Sequence, residues 1–423
     1  MSARGYLPRM NQTVLDPTVA STAEIRSRFP ALERRDHGLP VAYFDGPGGT
    51  QVPRAVADAV SNYLLQHNAN THWAYPSSAE TDALIEEARV ALADFLNGQP
   101  DEIIFGANMT TLTFHLARGL ARDWSAGDEV VITELDHHGN VAPWQALARE
   151  RGITLRVVRM NTSTGQLDWQ DLQRKITPRC RLLAIGAASN ALGTITDVRA
   201  AAELAHDADA LVFVDAVHYA PHVLPDVQEL GCDFLACSVY KFYGPHVGVL
   251  WVRRALLDEI DVPKLIPAPD SGPERMETGT LNHEGIAGST AAVDFLAGLA
   301  TGENRRQKLA AAYDALHTRS TAQFSSLWEG LSRIRGVRLY GLPPGAPRTS
   351  TIAFTIDGLT STQVAGALAA RALYLSNGDF FAHTVLQRLD LQDEGLVRAG
   401  CACYTSDDEI ERLLEGVSAV AEV

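Results

Sequence analysis

Short, continuously apolar segments alternate with amphipathic helical segments between residues 102 and 252, and this alternation constrains the fold more than any other feature. Strands that are apolar along their whole length are buried on both faces, as in parallel sheets that carry helices on each side. The sequence therefore predicts an α/β fold with a mainly parallel sheet sandwiched by helices. The predicted strands are residues 102–105, 129–133, 154–158, 182–186, 211–215, 234–237 and 247–251.

A long helical stretch, residues 288–331 with a break at Thr301-Gly302, connects this region to a different pattern. The segments that follow are strand-like at 336–340, 351–355 and 396–398 and helical at 361–372 and 406–417. Such a mixture is typical of a small α+β domain. The predicted division is an N-terminal arm that packs on the small domain (1–36), a large domain (37–300) and a small C-terminal domain (301–423).

The composition is that of an ordinary globular protein, since 46% of the 423 residues are hydrophobic and 21% are charged. A formal net charge of -15 argues against nucleic-acid binding, because proteins of that class present a basic patch. The five cysteines lie mostly within apolar runs, which favours a reducing compartment over a disulfide framework. No signal peptide and no apolar run of about 18 residues is recognisable, so we expect a cytoplasmic protein without a membrane segment.

One lysine stands in an unusual position at the end of a predicted strand. The segment Cys237-Ser238-Val239-Tyr240-Lys241 passes from an apolar strand to aromatic residues and then to a Gly-Pro turn. Desolvation lowers the pKa of a lysine and makes its amine a nucleophile and a base, which suits a lysine that holds a carbonyl cofactor as a Schiff base. A lysine whose ammonium snorkels to the surface would have the same local sequence. The segment by itself does not decide between these two roles.

Other polar residues also follow predicted strands, and ligands of open α/β sheets bind beyond the carboxyl ends of the strands. Thr110 and Thr111 stand at the start of a helix, where they could cap it or help to bind a phosphate. Asp215 ends an apolar strand and would either form a structural salt bridge or hold a protonated pyridine nitrogen. His137 and His138 follow another strand. One imidazole could stack on an aromatic ligand, whereas a metal site would lack a third and a fourth ligand.

Two polar loops have more than one interpretation. The glycine-rich loop 46–50 could cradle a phosphate or simply turn the chain, and it matches no established phosphate-binding motif. The loop 68–75 combines asparagine, histidine, tryptophan and tyrosine, and it includes Trp73. This combination suits a substrate pocket, although a well-capped surface loop has the same composition.

A lysine for a Schiff base, an acid for a ring nitrogen, a helix N-terminus for a phosphate and a histidine for stacking form the set that pyridoxal 5'-phosphate needs. Ordered motifs support this interpretation: Thr110-Thr111, 136–144, 189–194, 214–218, 238–241, 277–282 and Arg398-Ala399-Gly400. With these motifs the sequence resembles the class V aminotransferase group of fold-type I pyridoxal-phosphate enzymes, and in particular the cysteine-desulfurase-like proteins. The resemblance extends over nearly the whole chain and implies a large domain with a seven-stranded sheet.

The resemblance also implies roles for the matching residues. Lys241 would hold the cofactor and then act as the proton-transfer base, Asp215 would pair with the ring nitrogen, and His137 would stack on the ring. The other implied cofactor contacts are Thr110, Thr111, Asn190, His218, Ser238 and Tyr240. Two of these depart from the desulfurase pattern, since His218 and Tyr240 stand where those enzymes carry a glutamine and a histidine.

Two further residues bear on the substrate and on a partner subunit. Arg398, together with Asn190, would bind the substrate carboxylate as a two-pronged fork. Thr280, which follows Gly279, would reach the phosphate of the neighbouring subunit. The resemblance therefore implies a homodimer with shared sites, and it implies no metal ion.

A different departure concerns the loop 376–382, where desulfurases of this type carry their catalytic cysteine. Phe381 falls at or near that position, and the loop contains no cysteine. Persulfide chemistry is therefore not expected, because no thiolate is available to accept sulfur from the substrate. Cys401 and Cys403 lie on a predicted strand, where they would serve either as buried apolar residues or as a substitute nucleophile.

We therefore expect a pyridoxal-phosphate-dependent carbon–sulfur lyase that acts on cysteine or on an S-substituted cysteine. Trp73 and Phe381, with Tyr75 and Phe380, could surround a bulky S-substituent. The same cofactor chemistry also allows an aminotransferase, an epimerase or a decarboxylation-coupled oxidative deaminase. Outside enzyme chemistry, the alternative is a non-catalytic dimeric scaffold that has kept the fold, and the intact lysine, aspartate and histidine argue against it.

Overall fold

A seven-stranded sheet forms the centre of the computed structural model, which describes residues 19–422. From one edge to the other, the strands are Ile103–Gly106, Gly248–Val252, Phe234–Ser238, Leu211–Asp215, Cys180–Gly186, Glu129–Thr133 and Thr154–Val158. All of them run in the same direction except Gly248–Val252, which is antiparallel to both of its neighbours. The predicted α/β fold with a mainly parallel sheet is confirmed.

Helices cover both faces of this sheet, so alternate residues of its central strands pack into different cores. In the strand Leu211–Asp215, Val212 and Val214 belong to one core and Phe213 belongs to the other. The helices of this region are Arg54–Asn62, Pro76–Leu96, Met109–Leu120, Ala142–Arg151, Trp169–Lys175, Val198–His206, Val227–Leu230, Arg254–Leu257 and His283–Ala297.

The edge strand Thr154–Val158 differs from the expectation that every strand is buried on both faces. Only its last residue is fully buried, and Val157 is 38% exposed. At a sheet edge, one side of the strand has no neighbour that would exclude water. Arg156 adds an ion pair to Glu129 on the adjacent strand, with 2.6 Å between the nitrogen and the oxygen.

A four-stranded sheet and its own helices form a second unit near the C-terminus. Its strands, in spatial order, are Val337–Tyr340, Thr351–Ile356, Leu396–Gly400 and Ser376–Gly378. The accompanying helices are Arg305–Ser332, Ser361–Ala369, His383–Arg388 and Asp407–Ala421. The sequence did not predict Ser376–Gly378, because a polar Ser-Asn-Gly segment is more typical of a turn than of a strand.

The beginning of the described chain packs on this second unit. Ala42–Tyr43 pairs in parallel with Leu373–Tyr374, and Arg26 forms an ion pair of 2.9 Å with Glu409. Of the predicted arm 1–36, residues 1–18 lie outside the described residues. The domain division itself stays a prediction. Within residues 19–422, no helix combines the length and the apolar character that crossing a bilayer requires.

Gly248 is the point where the antiparallel strand meets the start of the helix Met109–Leu120. A Cβ atom added there would lie 2.4 Å from the backbone carbonyl carbon of Asn108, which cannot move without shifting the helix. We expect Gly248→Ala to lower the free energy of unfolding by about 1–3 kcal/mol, measured by circular dichroism during thermal or urea denaturation. Gly366→Ala is the matched control, because that glycine is an exposed residue of the helix Ser361–Ala369 and no atom of residues 19–422 lies within 4 Å of the added Cβ. The control should stabilise by about 0.5–1 kcal/mol, and equal effects of the two changes would contradict the steric argument.

Candidate active site

The carboxyl end of the strand Phe234–Ser238 leads directly into a single turn of 3-10 helix that carries Lys241. The Lys241 Nζ donates a hydrogen bond of 2.5 Å to the carbonyl oxygen of Pro47. It also lies 5.1 Å from the centre of the Tyr240 ring. The amine thus points into the protein, and the interpretation of Lys241 as a snorkelling surface lysine is wrong.

Burial changes the protonation of this lysine. It lowers the pKa of Lys241 to about 7, and the charge of Arg398 acts in the same direction while Asp215 opposes both. A lysine amine with a pKa near neutrality is available as a nucleophile and as a base under physiological conditions.

Asp215 ends the strand Leu211–Asp215, which runs parallel to the strand of the lysine turn and next to it. Its carboxylate accepts a hydrogen bond of 2.9 Å from the backbone N–H of Val217, and the residue is only 6% exposed. Burial raises the pKa of Asp215 to about 6, although the Val217 N–H and the Lys241 charge act against this. A buried carboxylate of this kind is stabilised by a cation such as a protonated ring nitrogen.

His137 follows the strand Glu129–Thr133 on the same edge of the sheet. Its Nδ1 accepts a hydrogen bond of 2.9 Å from the backbone N–H of Gly139. Burial, reinforced by the charge of Lys241, lowers the pKa of His137 to about 4, so that the imidazole is neutral at physiological pH. The side chains of Thr110 and His137 both lie against Gly139, since a Cβ added there would be 2.8 Å from Thr110 Oγ1 and 2.9 Å from His137 Nδ1.

The N-terminus of the helix Met109–Leu120 also opens at this edge. The backbone N–H of Met109 donates to the hydroxyl of Ser238 at 3.1 Å, so that the helix start and the end of the lysine strand meet. Asn108 is the N-cap, because its side chain accepts from the backbone N–H of Thr111 at 2.9 Å. The interpretation of Thr110 or Thr111 as the cap is therefore wrong. The two hydroxyls instead belong to the first turn, where the helix dipole favours an anion.

Three buried polar side chains complete the site, and each has an atom without a hydrogen-bond partner among residues 19–422. The unpaired atoms are Asn190 Oδ1, His218 Nδ1 and Arg398 Nε. The other ring nitrogen of His218 lies 3.1 Å from the Thr351 hydroxyl, which anchors the imidazole. Buried polar atoms are almost always hydrogen-bonded in folded proteins, so this cluster has the character of a ligand site.

The glycine-rich loop 46–50 forms a wall of the site beside the lysine turn. The backbone N–H of Thr50 donates to the carbonyl of Tyr240 at 3.1 Å, and the Thr50 hydroxyl accepts from the N–H of Tyr243 at 2.8 Å. These contacts hold the loop against the lysine turn, which favours its interpretation as a turn of the chain.

Thr280 and Trp73, two of the predicted site residues, have exposed side chains. Thr280 is exposed and follows Gly279, whose φ angle is +84°. Trp73 is 61% exposed and stands in the loop 68–75. The neighbouring His72 is 3.7 Å from Glu274, so this loop lies near the segment that leads to Thr280.

Residues 42–413 match the sequence model of the family "Aminotransferase class-V", which covers most of the chain. The chain belongs to this family. A probable cysteine desulfurase of Xylella fastidiosa (strain 9a5c) is 31% identical over 99% of this chain and 100% of its own length. An aminotransferase-like protein of Gibberella zeae is 31% identical over 95% of this chain and 98% of its own length. The apo structure of a cysteine desulfurase from Thermococcus onnurineus NA1 superposes with a TM-score of 0.85 at 28% identity, covering 95% of this chain and 98% of the other.

Class V aminotransferases are pyridoxal-phosphate enzymes, so the predicted family and cofactor are confirmed. The predicted enzyme type, a carbon–sulfur lyase or desulfurase, is confirmed as well. The side chains of this chain fit the cofactor. A buried carboxylate, a neutral imidazole, a buried amine and a helix N-terminus with hydroxyls surround one space, and three polar atoms there lack partners. A non-catalytic scaffold would have no reason to keep such groups buried and unpaired.

The cysteines of this class V aminotransferase are all unpaired and buried. Burial raises the pKa of both Cys401 and Cys403 to about 12, so each is a neutral thiol at physiological pH. A thiol is a poor nucleophile compared with a thiolate. Phe381, at the position expected for a catalytic cysteine, is 70% exposed, and its ring centre lies 5.4 Å from that of His137.

Sequence reasoning assigned no site role to Asp45 or Asp136, and it placed Phe380 only beside an S-substituent and not beside Arg398. Phe380 covers the Arg398 guanidinium, with its ring centre 4.0 Å from the Arg398 Cζ atom. The carboxylate of Asp45 favours the charged form of Arg398 and so raises its pKa against the effect of burial. Asp136 accepts a hydrogen bond of 3.0 Å from the N–H of Thr133 in the turn before His137. All three lie in or beside segments that the sequence analysis singled out, but only the fold shows which other site residues they contact.

The buried charges lead to a prediction for Lys241 in enzyme stripped of its cofactor. The modification of Lys241 by an amine-reactive reagent, followed by peptide mass spectrometry, should increase with pH around a midpoint near 7. Because the positive charge of Arg398 contributes to the low pKa, Arg398→Gln should move this midpoint to higher pH. Asp215→Asn should move it to lower pH, because a negative charge that favours the ammonium form is removed. A midpoint near 10 in the unaltered protein would contradict the assignment of Lys241 as a desolvated amine.

Proposed function

We propose that this enzyme is a carbon–sulfur lyase that acts on L-cysteine or on an S-substituted L-cysteine. The observation that carries the proposal is a full set of groups for amino-acid chemistry combined with the absence of a usable thiol, since all five cysteines are buried. In the reaction the Cα–H and Cβ–S bonds break, and one water enters. The products are a thiol, pyruvate and ammonium, and no enzyme sulfur is needed as an acceptor.

In this proposal the residues at the strand ends hold the cofactor. Bound pyridoxal phosphate supplies an aldehyde that joins an amine and a ring that withdraws electrons from the bond to be broken. Asp215 would pair with the ring nitrogen, and His137 would pack against the ring. The N-terminus of Met109–Leu120 would bind the phosphate. The remaining contacts are the hydroxyls of Thr110, Thr111 and Ser238 for the phosphate, and Asn190, His218 and Tyr240 around the ring.

Arg398 and Lys241 act on the substrate. Arg398 binds the substrate carboxylate, for which it has a buried Nε without a partner, and the carbonyl of Asn190 holds its Nη1 at 2.6 Å. Lys241 takes the proton from Cα, because its low pKa leaves the amine free near neutral pH. Both side chains are supplied by rigid parts of the fold, Arg398 by a central strand of the small sheet.

A homodimer would complete the site. Thr280 and Trp73 are exposed in one protomer, and their segments lie side by side on its surface. In the proposed dimer, this surface faces the site of the partner subunit, where Thr280 reaches the phosphate and Trp73 contacts the substrate.

The dimer can be tested through cofactor retention. Analytical ultracentrifugation should give the mass of two chains. Thr280→Ala should bind pyridoxal phosphate with an affinity about tenfold lower, since one hydrogen bond to a charged group is lost. The variant should remain a dimer. A monomeric protein that retains the cofactor fully would rule out the shared site.

An aminotransferase is the second candidate, favoured by the aminotransferase-like relative from Gibberella zeae. The two functions share the groups that bind the cofactor and the carboxylate, and they differ in which bond breaks after Cα–H. An aminotransferase would return an amino group to a 2-oxo acid and release no thiol. Epimerisation and decarboxylation-coupled deamination are further outcomes that one product analysis separates.

The decisive experiment incubates the holoenzyme with L-cysteine and, separately, with S-benzyl-L-cysteine. We expect sulfide or benzyl mercaptan together with pyruvate and ammonium in equal amounts, quantified by a thiol reagent and coupled enzymatic assays. Amino-group transfer without thiol would establish the aminotransferase instead, and carbon dioxide with an aldehyde would establish decarboxylation.

Variants of the cysteines and of the exposed aromatic residues refine this result. Cys401→Ala and Cys403→Ala should keep kcat within about twofold, because neither thiol is ionised.

Phe381→Ala and Trp73→Ala should raise the KM of S-benzyl-L-cysteine by about threefold or more and that of L-cysteine much less, since the apolar contact is lost. An unchanged KM for the large substrate would exclude these two rings from its binding site.

A further inference from the structure

Phe380 makes the closest aromatic contact with an arginine of the site. Its ring centre lies 4.0 Å from the Cζ atom of Arg398, which is only 3% exposed. A cation that lies over an aromatic face is attracted by the ring quadrupole, and the attraction increases when water is excluded. Phe380 therefore contributes both packing and electrostatic stabilisation to a buried positive charge.

The ring leaves the hydrogen-bonding edge of the guanidinium accessible. A cation–π contact uses the flat face of Arg398, whereas all five N–H groups point outward in its plane. The Nη1 atom donates to the carbonyl of Asn190 at 2.6 Å, and Nε is buried without a partner. Gly48 stands beside Nη2 and places no side chain of its own against it; an added Cβ would lie 3.7 Å from Nη2, 3.4 Å from the Ser376 hydroxyl and 3.1 Å from the Asp45 carbonyl oxygen. A carboxylate can bind at this edge while Phe380 remains in place.

Phe380 has an unfavourable backbone conformation, which hydrogen bonds to the loop maintain. Its φ angle is 55°, and that of Phe381 is 57°, a left-handed region in which bulky residues are strained. The side-chain amide of Asn190 donates to the Phe380 carbonyl at 2.8 Å, and the N–H of His138 donates to the Phe381 carbonyl at 2.7 Å. Asn190 thus contacts both Arg398 and Phe380 and fixes their relative position.

We propose that Phe380 is a specificity-determining residue, whose ring holds the Arg398 guanidinium in the plane that receives a substrate carboxylate and thereby favours amino acids over simple amines. This inference rests on the proposed role of Arg398. It goes beyond that role, because it assigns the discrimination to a residue that does not itself bind the carboxylate.

The test compares two ligands that differ only by a carboxylate, L-alanine and ethylamine. Each is titrated into the holoenzyme, and its dissociation constant is measured from the change in the visible absorption of the cofactor. Phe380→Leu should weaken the binding of L-alanine by about tenfold and that of ethylamine by less than about twofold, because leucine keeps apolar bulk but has no ring face. Phe380→Tyr, which keeps an aromatic face, should retain the preference for L-alanine over ethylamine. Leucine is chosen over glycine, which would release the backbone strain and change the loop.

Two further variants separate the possible failures. Arg398→Gln should abolish the preference for L-alanine over ethylamine, and if it does not, the proposed role of Arg398 is wrong. If Arg398→Gln does so but Phe380→Leu weakens both ligands equally or neither, Arg398 keeps its role and the inference about Phe380 fails. Phe381→Leu, at a residue with nearly the same φ angle, should affect both ligands alike. A selective loss of L-alanine binding in this variant would assign the effect to the loop as a whole.

Discussion

The burial of a lysine amine among other charged groups is the constraint on which the site depends. Lys241, Asp215 and Arg398 are drawn from three different segments, and burial shifts the pKa of each toward its neutral form. Such groups are tolerated only where opposite charges and hydrogen bonds offset the loss of water. The fold meets this requirement by joining the carboxyl ends of parallel strands to a loop and to a strand of the second sheet. The groups are therefore poised to bind a charged ligand.

The antiparallel strand Gly248–Val252 explains how the helix N-terminus reaches the lysine strand. It lies between Phe234–Ser238 and Ile103–Gly106, the strand that leads into the helix Met109–Leu120. Gly248 has no side chain, which allows the backbone of Asn108 to pass directly over it. The N–H of Met109 can then contact Ser238, and the helix N-terminus opens next to the lysine turn. A larger residue in the strand would separate these two elements.

Much of the fold could be predicted because its strands are buried and its helices are amphipathic. All seven strands of the large sheet were predicted within a few residues. Ser376–Gly378 was missed, since its pairing with Leu396–Gly400 comes from the neighbouring strand and not from its own polar residues. The N-cap was misplaced by two or three residues, because Asn108 and the following threonines are all common at helix starts and only the side-chain hydrogen bond distinguishes them.

By itself, the sequence determined the α/β fold through its periodicity, and the class V aminotransferase family and its cofactor through ordered motifs, because both are local properties. The tertiary structure decided which groups meet. The contact of Phe380 with Arg398, the burial of Cys401 and Cys403, and the exposure of Thr280 depend on packing between segments far apart in the chain. Desolvation and charge proximity set the pKa values of the site, and neither is defined until the chain has folded.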